Sequence, residues 1–232
     1  DIKNEVYQFR TRFYGLWGYA GDWIDKEITS EYSNILTIGN PAFYEDASDW
    51  AVNELEKANE AGLIPDILKG KDLTKSITRE EFAELALLLY EKTTNKAVET
   101  ISANPFTDTN NSQILKAYSL GITQGTSTTT FSPNVLINRE QCATMLFRTI
   151  KAIAPDGDFS IDGVKDFPDQ ANISSWALEG TKFMSKLGII KGDSNGNFMP
   201  KAATEAQSAV NYGMASREAA ILMAVRTYDV HK

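Results

Sequence analysis

A motif returns three times along this chain, in units too short to bury an apolar face alone, so the copies must stack on one another to fold. The middle copy reads Phe106-Thr107-Asp108, then Leu120-Gly121-Ile122 with Gly125, Phe131-Ser132-Pro133, and Ile137-Asn138-Arg139-Glu140. The third reads Phe167-Pro168-Asp169, Trp176, Leu187-Gly188-Ile189 with Gly192, Phe198-Met199-Pro200, and Ser216-Arg217-Glu218. A looser first copy has Tyr44-Glu45-Asp46, Trp50, Gly62-Leu63-Ile64 and Ile77-Thr78-Arg79-Glu80. Glycine-to-arginine spacings are 17, 18 and 29 residues, so the third copy carries an insertion. The copies divide the chain into residues 45–100, 101–160 and 161–232, preceded by a distinct segment, 1–44.

Each copy reads as helix, loop, helix. The first helix runs into its glycine (Trp50 to Ala61 before Gly62, Trp176 to Leu187 before Gly188), the left-handed stop expected at a helix C-terminus. A turn-rich loop follows, such as Asp193-Ser194-Asn195-Gly196-Asn197. The second helix opens with a cap: Thr78 with Glu81 and Asn138 with Gln141 are capping boxes, while Ser216 caps alone because Ala219 stands at the reciprocal place. After each arginine the apolar positions superpose: Leu85, Met145 and Met223; Leu87, Phe147 and Val225; Tyr90, Ile150 and Tyr228. That stripe predicts three equivalent buried faces packed against one another. Thr204-Glu205-Ala206-Gln207 is a rival cap in the third copy, but the stripe follows Arg217. Residues 1–44 hold ten of the 24 aromatics, with Val6, Phe9, Phe13 and Trp17 at helical spacing. They are expected to form a helix or clamp on the first copy rather than an aromatic ligand platform.

Composition removes several classes of function. The 232 residues carry one cysteine, Cys142, and one histidine, His231, which leaves no disulfide framework, histidine triad or multi-cysteine zinc site. A net charge of −8 disfavours nonspecific nucleic-acid binding, and no apolar stretch is long enough to insert in a membrane. The chain begins at Asp1 without a signal peptide and is read as a piece of something longer. Asp156 and Asp158 form an acid pair without a recognisable catalytic constellation. Asp193-x-Asn195-Gly196-Asn197, and Asp156-x-Asp158 with Asp162, lack the full calcium-loop register and read as turns. Neither a catalytic activity nor a metal or other cofactor is expected.

The arginines carry the functional argument. Arg79, Arg139 and Arg217 each follow a cap, so a cation sits at the first helical position against the helix dipole, costing about 0.3–1 kcal/mol. Three such placements suggest a bound anion, with guanidinium and free helix amides converging on one carboxylate through charge-assisted hydrogen bonds worth ~1.5–3 kcal/mol each. The competing reading pairs each arginine with an acid: Glu80, Glu140 or Glu218 next to it, or Asp46, Asp108 or Asp169 at the repeat openings. Ligand binding is favoured, and both can coexist. Trp50 and Trp176 taken alone read as core, although a tryptophan can stack on a sugar. Gly62, Gly121 and Gly188 are helix stops that would also let a sugar approach the backbone. Residues 45–100 carry net −6 while the two later copies are neutral, so Arg139 and Arg217 are expected to outrank Arg79 in binding an anion.

The order F-x-D, Trp, L-G-I-x-x-G, F-x-P and I-x-R-E resembles the S-layer homology repeat, and the family's T-R-A-E signature is represented by Thr78-Arg79-Glu80-Glu81, Asn138-Arg139-Glu140-Gln141 and Ser216-Arg217-Glu218-Ala219. The middle copy lacks the tryptophan, with Gln113 and Ile114 there, and the first has Leu73 in place of the loop phenylalanine. The resemblance implies an all-α, pseudo-threefold domain of three tandem repeats around a central three-helix bundle. It implies noncovalent anchoring of an exported protein to the cell wall of a Gram-positive-type bacterium through an anionic wall polysaccharide, often pyruvylated. The expected carbohydrate-binding residues are Arg79, Arg139, Arg217, Trp50, Trp176, Gly62, Gly121, Gly188, Asp46, Asp108 and Asp169. The alternative is a degenerate scaffold for contacts with other surface-layer proteins or for self-assembly.

Overall fold

The computed structural model describes residues 7–19, 22–34, 36–38, 43–44 and 46–232. It divides into two units, Asp1–Glu45 and Asp46–Lys232. The first is built from strands, not the helix that the spacing of Phe9, Phe13 and Trp17 predicts; Val6 lies outside the described residues. Strand β1 (Tyr7–Phe9) pairs antiparallel with β4 (Leu36–Ile38), and β2 (Tyr14–Tyr19) with β3 (Asp22–Thr29), with an irregularity between Trp17 and Tyr19. Between the ladders the Ser30 and Ser33 amides donate to the Phe13 and Thr11 carbonyls, and their hydroxyls accept from the same two residues' amides. The aromatic content that suggested a helix face suits a strand better, and Gly15 and Gly18 weigh against a helix.

The second unit contains the repeats and is helical. Its helices are α1 (Val52–Glu60), α2 (Arg79–Thr94), α3 (Ser112–Ser119), α4 (Arg139–Ile153), α5 (Leu178–Lys186), α6 (Glu205–Ala209) and α7 (Arg217–His231). Thr78 and Asn138 close full capping boxes on α2 and α4, and the Ser216 hydroxyl caps α7. The Thr204 cap does start a helix, α6, but it lasts only five residues within the insertion. Gly62, Gly121 and Gly188 stop α1, α3 and α5 at φ of 66°, 70° and 69°. In each stop the next residue's amide reaches back five positions, Leu63 to Ala58, Ile122 to Ala117 and Ile189 to Met184.

Helices α2, α4 and α7 pack on one another pairwise. Their shared stripe is buried, from Leu85, Met145 and Met223 through Leu87, Phe147 and Val225; only Tyr228 at its far end is half-buried. The chain entering them forms a closed hydrogen-bonded ring. The Ile77 amide donates to the Ala215 carbonyl (2.9 Å), Ala215 to Ile137 (3.4 Å), and Ile137 to Ile77 (3.2 Å). The short first helices do not fold back on their own copies: α3 packs on α2, α5 on α4 and α1 on α7. Each first helix thus covers the second helix of the preceding copy, and the first copy closes on the last. A unit too small to stand alone is completed by its neighbour.

The glutamate after each arginine fastens this exchange. Glu80 accepts from the Asn111 amide side chain (2.8 Å), ahead of α3. Glu140 accepts from the Ser174 amide and hydroxyl (2.8 and 2.9 Å), ahead of α5, and Glu218 does the same with Ser48 (2.9 and 2.8 Å), ahead of α1. Glu140 and Glu218 are almost fully buried, so these bonds satisfy carboxylates that would otherwise be costly to bury.

Candidate anion-binding grooves

The free helix amides expected beside each arginine are not free. The Arg79 and Glu80 amides donate to Val135 and Pro133, those of Arg139 and Glu140 to Gly213 and Pro200, and those of Arg217 and Glu218 to Lys75 and Leu73. The third amide of each helix donates to its cap side chain. The first turn is stitched to the neighbouring copy, so helix-terminal anion capture is ruled out at all three places, and only the side chains remain.

Those side chains leave the helix sideways, over the loop that follows the glycine stop of the next copy. The Arg79 guanidinium lies 4.9 Å from the Phe131 ring centroid, and its Nη2 donates to the Gln124 carbonyl. Arg79 is 9 % exposed, and its buried Nε has no hydrogen-bond partner. In the equivalent arrangement Arg139 sits 5.4 Å from the Phe198 ring, with Nε donating to the Phe198 carbonyl (3.0 Å) and Nη2 to that of Lys191 (2.8 Å). Arg217 differs. Its Nη1 donates to the Asp72 carbonyl (3.1 Å), while Nε and Nη2 grip both oxygens of Glu81. The bridging acid is therefore Glu81, neither the adjacent glutamate nor a repeat-opening aspartate.

Two clefts open beside the first two arginines. One of about 370 Å³ is lined by Arg79 and Gln124, by Gln141, Thr144 and Arg148 of α4, and by Trp176. The second, about 130 Å³, is lined by Arg139 and Lys191, by Ala219, Leu222 and Arg226 of α7, and by Trp50. Each cleft draws on all three copies. The tryptophans are not core: Trp50 is 59 % exposed and Trp176 56 %, because each lies two residues before its helix, in the turn held by Glu218 or Glu140.

The charges differ between the clefts. Arg148 Nη2 reaches the Gln124 side-chain oxygen at 3.5 Å, so two guanidinium groups meet on one glutamine. Among the described residues no carboxylate lies within ion-pair distance of Arg79, Arg139 or Arg148. Burial, and then the charge of Arg148, pushes the Arg79 guanidinium below its ordinary value; burial does the same to Arg139 and Arg148. A desolvated cation pair without a counter-charge is an electrostatic debt that an anion would relieve. In the smaller cleft Arg226 is neutralised by Glu54, with two contacts of 2.7 Å, leaving Arg139 as its one unmatched guanidinium, beside the exposed Lys191. Arg148 and Arg226 were legible in one way: both stand nine residues after a signature arginine, where the first copy has Leu88.

The remaining sequence-selected residues have architectural surroundings. Asp108 accepts the Phe131 and Ser132 amides (2.8 Å each), and Asp169 those of Phe198 and Met199 (2.8 and 2.7 Å). Ser132 and Met199 are in the left-handed region, φ 62° and 56°, so each carboxylate braces a strained turn under its arginine. These bonds hold Asp108 below the usual carboxylate range. Asp46 is exposed. A methyl group at Gly121 or Gly188 would meet nothing within 4 Å, whereas at Gly62 it would meet Lys92 Nζ at 3.0 Å. Gly121 borders a further cleft of about 570 Å³ with Phe106 and Tyr118, which shares Gln124 and Gly125 with the Arg79 cleft. The Asp193 carboxylate accepts the Asn195 and Asn197 amides and the Asn197 side chain, as a turn requires.

Residues 105–143 and 166–204 each match the S-layer homology domain. Over 211 residues (84 % of this chain) the sequence is 28 % identical to exoglucanase XynX of Acetivibrio thermocellus, covering 18 % of that protein. It is 28 % identical over 213 residues (85 % of this chain) to an amylopullulanase of Thermoanaerobacterium thermosulfurigenes, covering 11 % of it. It is 30 % identical over 142 residues (59 % of this chain) to an endoglucanase of Bacillus sp. (strain KSM-635), covering 14 % of it. The chain thus spans less than a fifth of the length of each of these relatives.

Proposed function

We propose that the three copies, 45–100, 101–160 and 161–232, form a wall anchor of the S-layer homology kind, the matches at residues 105–143 and 166–204 supporting the two later copies and 45–100 being the divergent first. The anchor holds a longer exported protein on a bacterial cell wall of Gram-positive type by gripping an anionic polysaccharide, without catalysis of its own. The observation that carries this reading is the cleft where Arg79 and Arg148 meet on Gln124, with no carboxylate among the described residues within ion-pair distance and with Trp176 exposed in its lining. A sugar bearing a carboxylate, such as a pyruvyl ketal, fits that chemistry. The two guanidinium groups take the acid through charge-assisted hydrogen bonds, and the indole covers an apolar sugar face. The Arg139 cleft, with one unmatched guanidinium, the exposed Lys191 and Trp50, is a smaller second site. The relatives support a role as an attachment module: their names describe enzymes acting on glucans and pullulan, yet the shared part is a small fraction of each.

Sedimentation with purified sacculi tests this directly. The chain should pellet with untreated walls and remain in the supernatant after hydrofluoric acid has stripped the wall polymer. Pelleting that survives stripping would favour the scaffold reading, in which the repeats contact other surface proteins; the closed Arg217–Glu81 pair is the feature that supports it.

A further inference from the structure

At Arg217 the place that a cleft takes beside Arg79 and Arg139 is occupied by the chain itself. The third helical residue after each cap faces the signature arginine of the copy before it in the ring. Gln141 lines the cleft of Arg79, and Ala219 that of Arg139. In the remaining groove that residue is Glu81, whose carboxylate accepts from Arg217 Nε at 3.0 Å and Nη2 at 2.8 Å. The two side chains are 13 % and 5 % exposed, and the contact is the fork-on-carboxylate geometry that a bound acid would adopt.

Helix capping does not account for the charge at this position. Glu81 Oε2 accepts the Thr78 amide at 2.9 Å, but the neutral Gln141 accepts the Asn138 amide equally well, at 3.0 Å. Helix α7 begins with Ala219 at this place and no reciprocal side chain at all. One position therefore carries an amide, a methyl group and a carboxylate in the three copies, and only the carboxylate neutralises the arginine opposite.

We infer that Glu81 is an internal substitute for a ligand carboxylate, and that the Arg217 groove is a latent third site for a carboxylate-bearing sugar, closed by this one residue. The inference rests on reading the other two grooves as carboxylate sites. It also accounts for the departure of the first copy: Leu88 supplies no second cation where Arg148 and Arg226 stand, so a single arginine is matched by a single acid.

Glu81→Gln in the full chain tests it, since glutamine is native at this place in the second copy and preserves the cap. Glu81→Ala, which reproduces the third copy, is the second variant. Calorimetric titration with a pyruvylated N-acetylated amino sugar should give one more site per chain in either variant than in the parent. Adding Arg217→Gln should remove the extra site and leave the others. An unchanged number of sites, with parent binding intact, would overturn the inference and leave the anchoring reading standing. Failure of the parent to bind the sugar at all would overturn both.

Discussion

At the first position of α2, α4 and α7 one residue type meets three different surroundings. Arg79 is buried beside Arg148 without a counter-ion, Arg139 has backbone acceptors and an open cleft, and Arg217 is clamped by Glu81. Replacing Arg79 with glutamine removes a charge-assisted bond worth ~1.5–3 kcal/mol, so affinity for a pyruvylated sugar should fall roughly 10- to 100-fold in a calorimetric titration. Arg139→Gln should cost less. Arg217→Gln should leave affinity unchanged but lower stability by about 3 kcal/mol, because a buried glutamate loses its partner. This order reverses the one drawn from segment charges, which expects Arg139 and Arg217 to lead. The two expectations differ because net charge per copy takes no account of each groove joining the arginine of one copy to the helix of the next. The arginines themselves were legible from the repeat. Their reach was not, since it depends on which copy lies alongside. The exposure of Trp50 and Trp176 escaped the pattern for a related reason: both precede their helices, so helical periodicity does not apply to them.

Among the elements, the glutamate clamps decide which helix covers which. Glu140 is 1 % exposed and accepts from the Ser174 amide and hydroxyl, with Lys201 Nζ 3.0 Å away. Glu140→Ala removes an acceptor from all three donors and leaves the part-buried Ser174 amide unpaired. We expect a loss of at least about 2 kcal/mol, read as a fall in melting temperature of roughly 4–8 °C. The same variant should weaken sugar binding, because Trp176 is positioned by the turn that Glu140 holds. Unchanged melting would contradict the clamp. The caps, the glycine stops and the buried stripe of these helices could all be read from the sequence, being local chemistry repeated at fixed spacing. The exchange of first helices between copies could not, because periodicity marks a face as buried without saying what covers it. In residues 1–44 helical spacing predicts a helix where the described residues form strands. Aromatics at helical spacing also suit strands, and the antiparallel pairing of β1 with β4, across the two strands between them, is a nonlocal choice that spacing does not encode.

Across residues 46–232, the ring of bonds through Ile77, Ala215 and Ile137 makes three imperfect copies into one cooperative body. The divergence between copies then has a place to go. Architecture is carried by the glutamates, the buried stripe and the amides of the first turns, so the groove side chains can differ from one copy to the next without loss of the fold. One groove has two unmatched guanidinium groups, one has a single unmatched group, and one is neutralised from within. Diffraction from crystals soaked with a pyruvylated N-acetylated amino sugar reads out that inequality atom by atom. The ketal carboxylate should lie between Arg79 and Arg148, with the sugar ring against Trp176 and the Arg217–Glu81 pair undisturbed. Sugar density absent from that cleft, or found instead with Arg217 released from Glu81, would contradict the account.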